Sequence, residues 1–265
     1  MTKKAVYFSV IFLFPGLFLI TTCDSFYSNS WGKSREYDTA NIKLTVDNLP
    51  SWKKAARYNP SLAQALTEVI NEMVKNMGDG PERAIFQEAG VEFAIKSAGL
   101  GTTVLNNMDK FDLDDPEEIV TVLEAIQNDF NNSNGSAAAG DLAAIVEPQG
   151  GFGTTPEFDP SYGNIAKASD VGQAVVILTL ALLEQKGVSD VLDDHDVVNF
   201  EEWDIGLVIA NDGTKDVKVE AGGKPSPEAL ALAAYLNLIK NDPTNKFDNN
   251  PITSGIKDLF NLDSI

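Results

Sequence analysis

From residue 59 onward the apolar positions recur mostly three and four residues apart, the period of a helix with one buried face. After Asn59-Pro60, a capping residue followed by a first-turn proline, Leu62, Leu66, Val69, Ile70, Met73 and Met77 share one stripe, and Gly78 predicts the stop. Pro81 opens a second helix over 82–98, rich in small residues and ending at Ala98-Gly99-Leu100-Gly101. Asp115-Pro116-Glu117-Glu118 opens a third, its acidic groups at the positive end of the helix dipole, with Ile119, Val122, Leu123 and Ile126 following at helical spacing. Ser169-Asp170 precedes Val171–Leu183, which is apolar nearly all round and predicts a central buried helix. Ser226-Pro227-Glu228 starts another apolar helix that stops near Pro243, and 254–262 reads as a short amphipathic tail.

Residues 205–221 leave two alternatives. One is a β-hairpin around Asn211-Asp212-Gly213, with Val217 and Val219 alternating about Lys218. The other is a helix over 200–210, capped by Asn199 and ended by the same turn. The expected class is therefore mainly α: an irregular helical bundle or an array of helical hairpins, with at most one short β-hairpin, folded as a single domain over 42–265.

The N-terminus follows another pattern. A short positive stretch, MTKK, precedes 16 apolar residues, Ala5–Ile20, and then the small polar group Thr21-Thr22-Cys23. That order is the one found in export signals. The apolar run is shorter than the roughly 20 residues of a spanning helix, and Pro15-Gly16 would interrupt one. Leu19-Ile20-Thr21-Thr22-Cys23 resembles the lipobox of bacterial lipoproteins, in which aliphatic and small residues precede the cysteine; Thr22 stands where Gly, Ala or Ser is usual. The resemblance covers residues 1–23. It implies cleavage of a 1–22 signal peptide and a Cys23 carrying a thioether-linked diacylglycerol and an amide-linked acyl chain such as palmitate. It also implies a body held at a bacterial cell-envelope membrane, on the periplasmic or the surface side. Each buried CH₂ contributes about 0.8 kcal/mol, so two or three chains anchor firmly where one does not. The segment 24–41 is polar and Ser/Asn-rich and reads as a tether, in which Trp31 and Tyr37 either stay free or dock on the body.

Charge and composition narrow the partners. The 20 Lys+Arg against 39 Asp+Glu give a net charge of −19, with no basic run longer than two lysines, so nothing is available to neutralise a nucleic-acid backbone. One cysteine allows no internal disulfide, and one histidine, His195, excludes a His-pair metal site. Residues 190–204 gather seven carboxylates around His195, an acidic face on which an EF-hand register fails, because Val198 and Ile205 stand where oxygen ligands are needed. Neither metal nor cofactor is expected, and no G-x-S-x-G, H-E-x-x-H or Cys–His signature is present.

Two stretches remain as candidates. The loop 148–164 is long enough to be functional, and Phe152, Phe158 and Tyr162 either line a ligand pocket or pin the loop to the body. Ala231, Tyr235, Leu238 and Pro243 have a spacing that resembles the second helix of a tetratricopeptide repeat, which implies close helix packing; the first half of the repeat is missing. The expectation is a lipid-anchored envelope protein that is a non-enzymatic binding or interaction module. The alternatives are a solute-binding accessory subunit of a transporter, or a hydrolase built on two cleft carboxylates with opposed pKa shifts.

Overall fold

The computed structural model describes residues 37–99, 134–183 and 198–262, except Pro243 and Asn245, together with Gln127, Phe130 and Val191. The signal segment with Cys23, Trp31, the helix expected after Asp115, His195 with its nearest carboxylates, and Pro243 lie outside the described residues.

The protein is mainly α. Two single 3-10 turns, Thr39–Asn41 and Val46–Asn48, lead into α1 (Leu49–Ala56). Helix α2 (Pro60–Lys75) begins as expected, with the Asn59 side chain accepting from the Leu62 N–H at 3.0 Å, but ends at Asn76, before Gly78. Helix α3 (Pro81–Ala98) stops at Gly99, whose φ of 66° is left-handed. Then follow α4 (Gly135–Val146), α5 (Pro160–Ile165), α6 (Ala168–Leu183) and the single turn α7 (Phe200–Trp203). Strands β1 (Leu207–Ile209) and β2 (Val217–Val219) pair antiparallel, with Val208 opposite Lys218. Helix α8 (Pro227–Lys240), capped by Ser226, and α9 (Pro251–Leu259) complete the order. Both alternatives for 200–221 therefore hold in part. Asn199 caps one helical turn, Asp204 ends it with a φ of 56°, and the hairpin follows.

Helices α1 and α4 were not expected from the pattern. The buried residues of α4 are Gly135, Ala138, Ala139, Leu142, Ala143, Ile145 and Val146, and the glycine and alanines among them give little contrast between a buried and an exposed face. Tyr37 docks on the body: its ring packs against the N-terminal core and its hydroxyl accepts from Asn59 Nδ2 at 2.6 Å.

Buried side chains form two clusters among the described residues. The smaller joins α1, α2 and one face of α3 through Leu49, Leu66, Ile70, Val74, Phe86 and Phe93. The larger joins the other face of α3 to α4, α6, α8 and α9. Helix α3 is thus the wall between them, sending Phe86, Ala89 and Phe93 one way and Val91, Ala94 and Ala98 the other. Its neighbours come close because Gly90 has no side chain: a Cβ there would lie 2.9 Å from Ile70 Cγ2 and 3.1 Å from Ile145 Cδ1. The same device brings α9 onto α6, where a Cβ on Gly172 would meet Ile252 Cγ2 at 2.7 Å. The central position expected for α6 holds, with Val171–Leu178 buried without a break.

A double-sided helix leaves its polar residues in the interior, and they bond across it. Arg83 is only 4% exposed. Its guanidinium donates to Val74 O near the end of α2 (3.2 Å), to Glu147 O past the end of α4 (2.5 Å) and to the Asp79 carboxylate (2.7 Å). One turn on, Gln87 Nε2 donates to Ile145 O at 2.9 Å. These bonds reach carbonyls at or just past two helix C-termini, where intrahelical bonds run out; Val74 O also accepts from Met77 N at 3.3 Å. Arg83→Met keeps the stem and removes the guanidinium's donors from Val74 O, Glu147 O and the Asp79 carboxylate. A loss of about 3 kcal/mol is expected, read as a lower urea midpoint at unchanged slope; a loss below about 1 kcal/mol would contradict the role given to Arg83.

Candidate functional site

The loop 148–164 and helix α8, the two stretches singled out from sequence, meet around one cleft. Its volume is about 430 Å³, and Glu157, Phe158, Asp159, Asn164, Leu238, Asn241 and Lys246 are among the residues that line it. This lies within the usual small-molecule range of roughly 300–1,000 Å³.

The walls are fixed by three local devices. The first is Asn237, a carboxamide among apolar neighbours in α8 and 2% exposed. Its oxygen accepts from Val217 N (2.8 Å), and its amide donates to Val217 O (2.9 Å) and Pro156 O (2.9 Å). The side chain behaves as one more peptide unit beside β2, and it ties helix, strand and loop together with its hydrogen bonds satisfied. The second is Asp159, which caps α5 by accepting from Ser161 N at 2.7 Å, so the loop shortens into a helix where none was expected. The third is Lys246, whose ammonium donates to Gly163 O at 2.6 Å. Asp242 in turn holds the lysine's backbone, accepting from Lys246 N at 2.7 Å and from Thr244 N at 3.1 Å.

The aromatic residues of the loop divide between the two roles open to them. Phe158 lines the cleft and stacks edge-on against Tyr235 and Tyr162, with centroids 4.7 and 5.0 Å apart. Phe152 is half-buried behind it, 6.5 Å from Phe158. Tyr162 is buried beneath the cleft, its hydroxyl 3.3 Å from that of Tyr235. Burial pushes both phenols up, and the nearby Asp170 charge adds to it. Along α8, Ala231 and Tyr235 are buried and Leu238 lines the cleft. The element before α8 is a strand, and Tyr235 packs on the loop and on α5 rather than on a partner helix of a repeat.

A second constellation was missed in the sequence. Glu88 and Glu92, one turn apart on α3, converge with Asp170 at the start of α6, with one oxygen from each within 4.8 Å of the others. Three lysines fill this space. Lys53 of α1 reaches Glu88 at 2.6 Å and Glu92 at 2.8 Å; Lys96 reaches Glu92 at 2.7 Å; Lys167 reaches Glu88 at 2.5 Å and lies 3.7 Å from Asp170. Burial alone would raise the Glu92 carboxyl, but hydrogen bonds and charge from Lys53 and Lys96 hold it at about 2. Asp170 moves the other way. Burial raises it, and the charges of Glu92 and Glu88 add to that against the opposing Lys167 and Ser169. With an ammonium against each glutamate oxygen, the donor set suits a structural tie between α1, α3 and α6 better than a divalent cation. Its sequence signal was the Glu88/Glu92 pair inside a run of small and apolar residues.

The chain matches no protein-family model, no curated protein and no solved structure.

Asn237→Leu leaves Val217 N–H, Val217 O and Pro156 O unpaired in the interior. A stability loss of about 3 kcal/mol is expected, with loss of the near-ultraviolet signal of the Phe158–Tyr235 cluster; an unchanged urea midpoint would contradict the role of Asn237. Glu92 makes a pH prediction. A carboxyl lowered on folding binds fewer protons in the folded chain, so its contribution is complete above about 4.5 and is lost as pH falls toward 2. The gap in urea midpoint between wild type and Glu92→Gln should therefore shrink between pH 6 and pH 3, and a pH-independent gap would contradict the ion-pair assignment.

Proposed function

We propose that this chain is a non-enzymatic binding protein of the bacterial cell envelope, anchored through lipid on Cys23 and carrying a small ligand in the cleft between the 148–164 loop and α8. The observation that carries the binding part is the cleft itself. Its volume is about 430 Å³, and buried hydrogen bonds from Asn237 and a tie from Lys246 hold its walls in place through the protein's own groups. A preformed site loses little entropy on binding. Phe158 and Leu238 offer an apolar floor, while Glu157, Asp159 and Asn164 offer polar contacts at the rim.

The anchor rests on the lipobox resemblance of Leu19–Cys23. Among the described residues no helix is long and apolar enough to cross a membrane. In this reading attachment runs through the acyl chains, and the acidic body stands off an anionic lipid surface by charge repulsion. A ligand-carrying body on a lipid tether also suits the accessory subunit of a transporter, which delivers a solute to a membrane partner.

The hydrolase alternative draws on the opposed shifts of Glu92 and Asp170. It is the weaker reading, because Lys53 and Lys96 already occupy the oxygens that a substrate or water would need.

Native mass spectrometry of the detergent-extracted protein tests the proposal. A polypeptide starting at Cys23 with the added mass of diacylglycerol and an acyl chain is expected, together with a small-molecule adduct that Leu238→Trp removes. An unmodified Cys23, or an adduct insensitive to Leu238→Trp, would overturn the corresponding half.

A further inference from the structure

The repulsion between the acidic body and an anionic membrane is uneven, because charge is not spread evenly along the chain. Residues 24–58 carry 6 Lys+Arg against 4 Asp+Glu, whereas 59–265 carry 12 against 35. The basic part is also the part next to the proposed anchor. Thirteen residues separate Cys23 from Tyr37, which sets a reach of at most about 45 Å. Tyr37 is fixed to the body by the hydrogen bond from Asn59, so the tether joins the body just past the end of α1.

Helix α1 turns Leu49 and Ala56 into the core, with Trp52 and Lys53 partly buried on the same side. Lys53 is neutralised there by Glu88 and Glu92. The opposite side is a strip at helical spacing: Pro50, Ser51, Lys54 and, past the helix end, Arg57 and Tyr58, all exposed. Lys43 and Val46 are exposed on the segment that leads into it. Lys43 and Lys54 have no ion pair among the described residues. Asp47, next to Val46, is the acidic residue of this strip; Asp38 is taken up in its own turn, accepting from Ala40 N and Asn41 Nδ2. Val46 and Tyr58 are 39% and 45% exposed, and among the described residues Ile165 is the other large apolar side chain so exposed. The Arg57 guanidinium lies over the Tyr58 ring, 5.2 Å from its centroid. Cations flanking exposed apolar and aromatic groups suit the boundary between water and lipid, where the charges meet headgroups and the rings lie just beneath.

We propose that the outer face of α1, with the segment before it, rests on an anionic phospholipid surface. Lys43, Lys54 and Arg57 meet lipid phosphates, and Val46 and Tyr58 enter the headgroup layer. This rests on the lipid anchor at Cys23, which supplies most of the attachment and keeps the strip within reach. Each basic residue at such a surface is worth about a fivefold gain in partition. Three of them attach a free protein weakly, but they orient one that is already tethered. The field that draws α1 down repels the acidic remainder, so the body stands with α1 toward the membrane.

A fluorescent probe at Ser51 tests this. The detergent-extracted full chain carrying Ser51→Cys is labelled with the environment-sensitive dye NBD and reconstituted into vesicles. Its intact mass reads the anchor separately, because an acylated Cys23 takes no thiol label. With about 30% phosphatidylglycerol in the vesicles, emission is expected to rise at least about twofold over pure phosphatidylcholine, and about 0.5 M KCl should remove the gain. The same probe on Ala221→Cys, an exposed site in the acidic remainder, should show no difference between the lipids. Replacing both lysines, Lys43→Gln with Lys54→Gln, should abolish the gain, and Lys43→Arg with Lys54→Arg should keep it. Both side chains are exposed, so the replacements leave the fold intact. Equal emission on the two lipids with an acylated Cys23 would overturn the docking alone, as would a gain that survives the double glutamine variant. An unacylated Cys23 would overturn the anchor and the docking with it. A gain that follows protein density rather than phosphatidylglycerol content would mean that a second copy covers α1, and would overturn the lipid assignment.

Discussion

Helix α3 is buried on two faces at once, and the rest of the body depends on how that is accommodated. A helix between two cores cannot be amphipathic in the ordinary sense. It needs small residues where neighbours cross, and it needs partners for every polar group it carries inside. Gly90 meets the first need, letting Ile70 of α2 and Ile145 of α4 both come up against the same point of its backbone. Arg83 and Gln87 meet the second by spending their donors on carbonyls at the ends of α2 and α4. Glu88 and Glu92 meet it on the remaining face through lysines from α1, from α3 itself and from the start of α6. The hydrophobic effect drives burial, but these bonds decide which helices pack together and in what register.

The same logic recurs in α8 and produces the cleft. Asn237 lies among Tyr235, Leu236 and Ile239, all buried, and only the backbone of β2 and of the 148–164 loop can satisfy it. That requirement brings the loop to the helix. Phe158 then has Tyr235 and Tyr162 beneath it, and the space left beside Leu238 is the cleft. Asn71 is the opposite case: its Nδ2 reaches Asp141 at 2.8 Å, while among the described residues its buried Oδ1 finds no partner. A polar side chain whose bonds are met within the body builds structure.

Much of the fold was legible. Caps and first-turn prolines marked α2, α3 and α8, because Asn59 and Ser226 cap through local bonds while Pro81 and Pro227 preset the first-turn backbone, features that sequence shows directly. The apolar run of α6 marked its burial. Helix α4 was silent, since its alanine face packs by closeness rather than by hydrophobic contrast. The stripe on α2 was read too narrowly. Thr67 and Asn71 are buried although polar, because α2 also faces α4, while Val69 and Met73 are only half-buried. For the candidate site, sequence named the aromatic residues and the helix but not what joins them. Asn237, Glu88, Glu92 and Asp141 take on meaning only when distant segments meet, and nothing in their local pattern shows the partner.

The central claim is that the cleft is built into the cooperative body by buried polar bonds rather than left as a loop resting on its surface. Native-state hydrogen exchange at the Val217 amide, which donates to Asn237 Oδ1, tests this most directly. The account predicts that Val217 exchanges only through global unfolding, with the same free energy and denaturant slope as the central amides of α3. Exchange of Val217 through a local opening, with a small slope and a free energy several kcal/mol below that of α3, would contradict it.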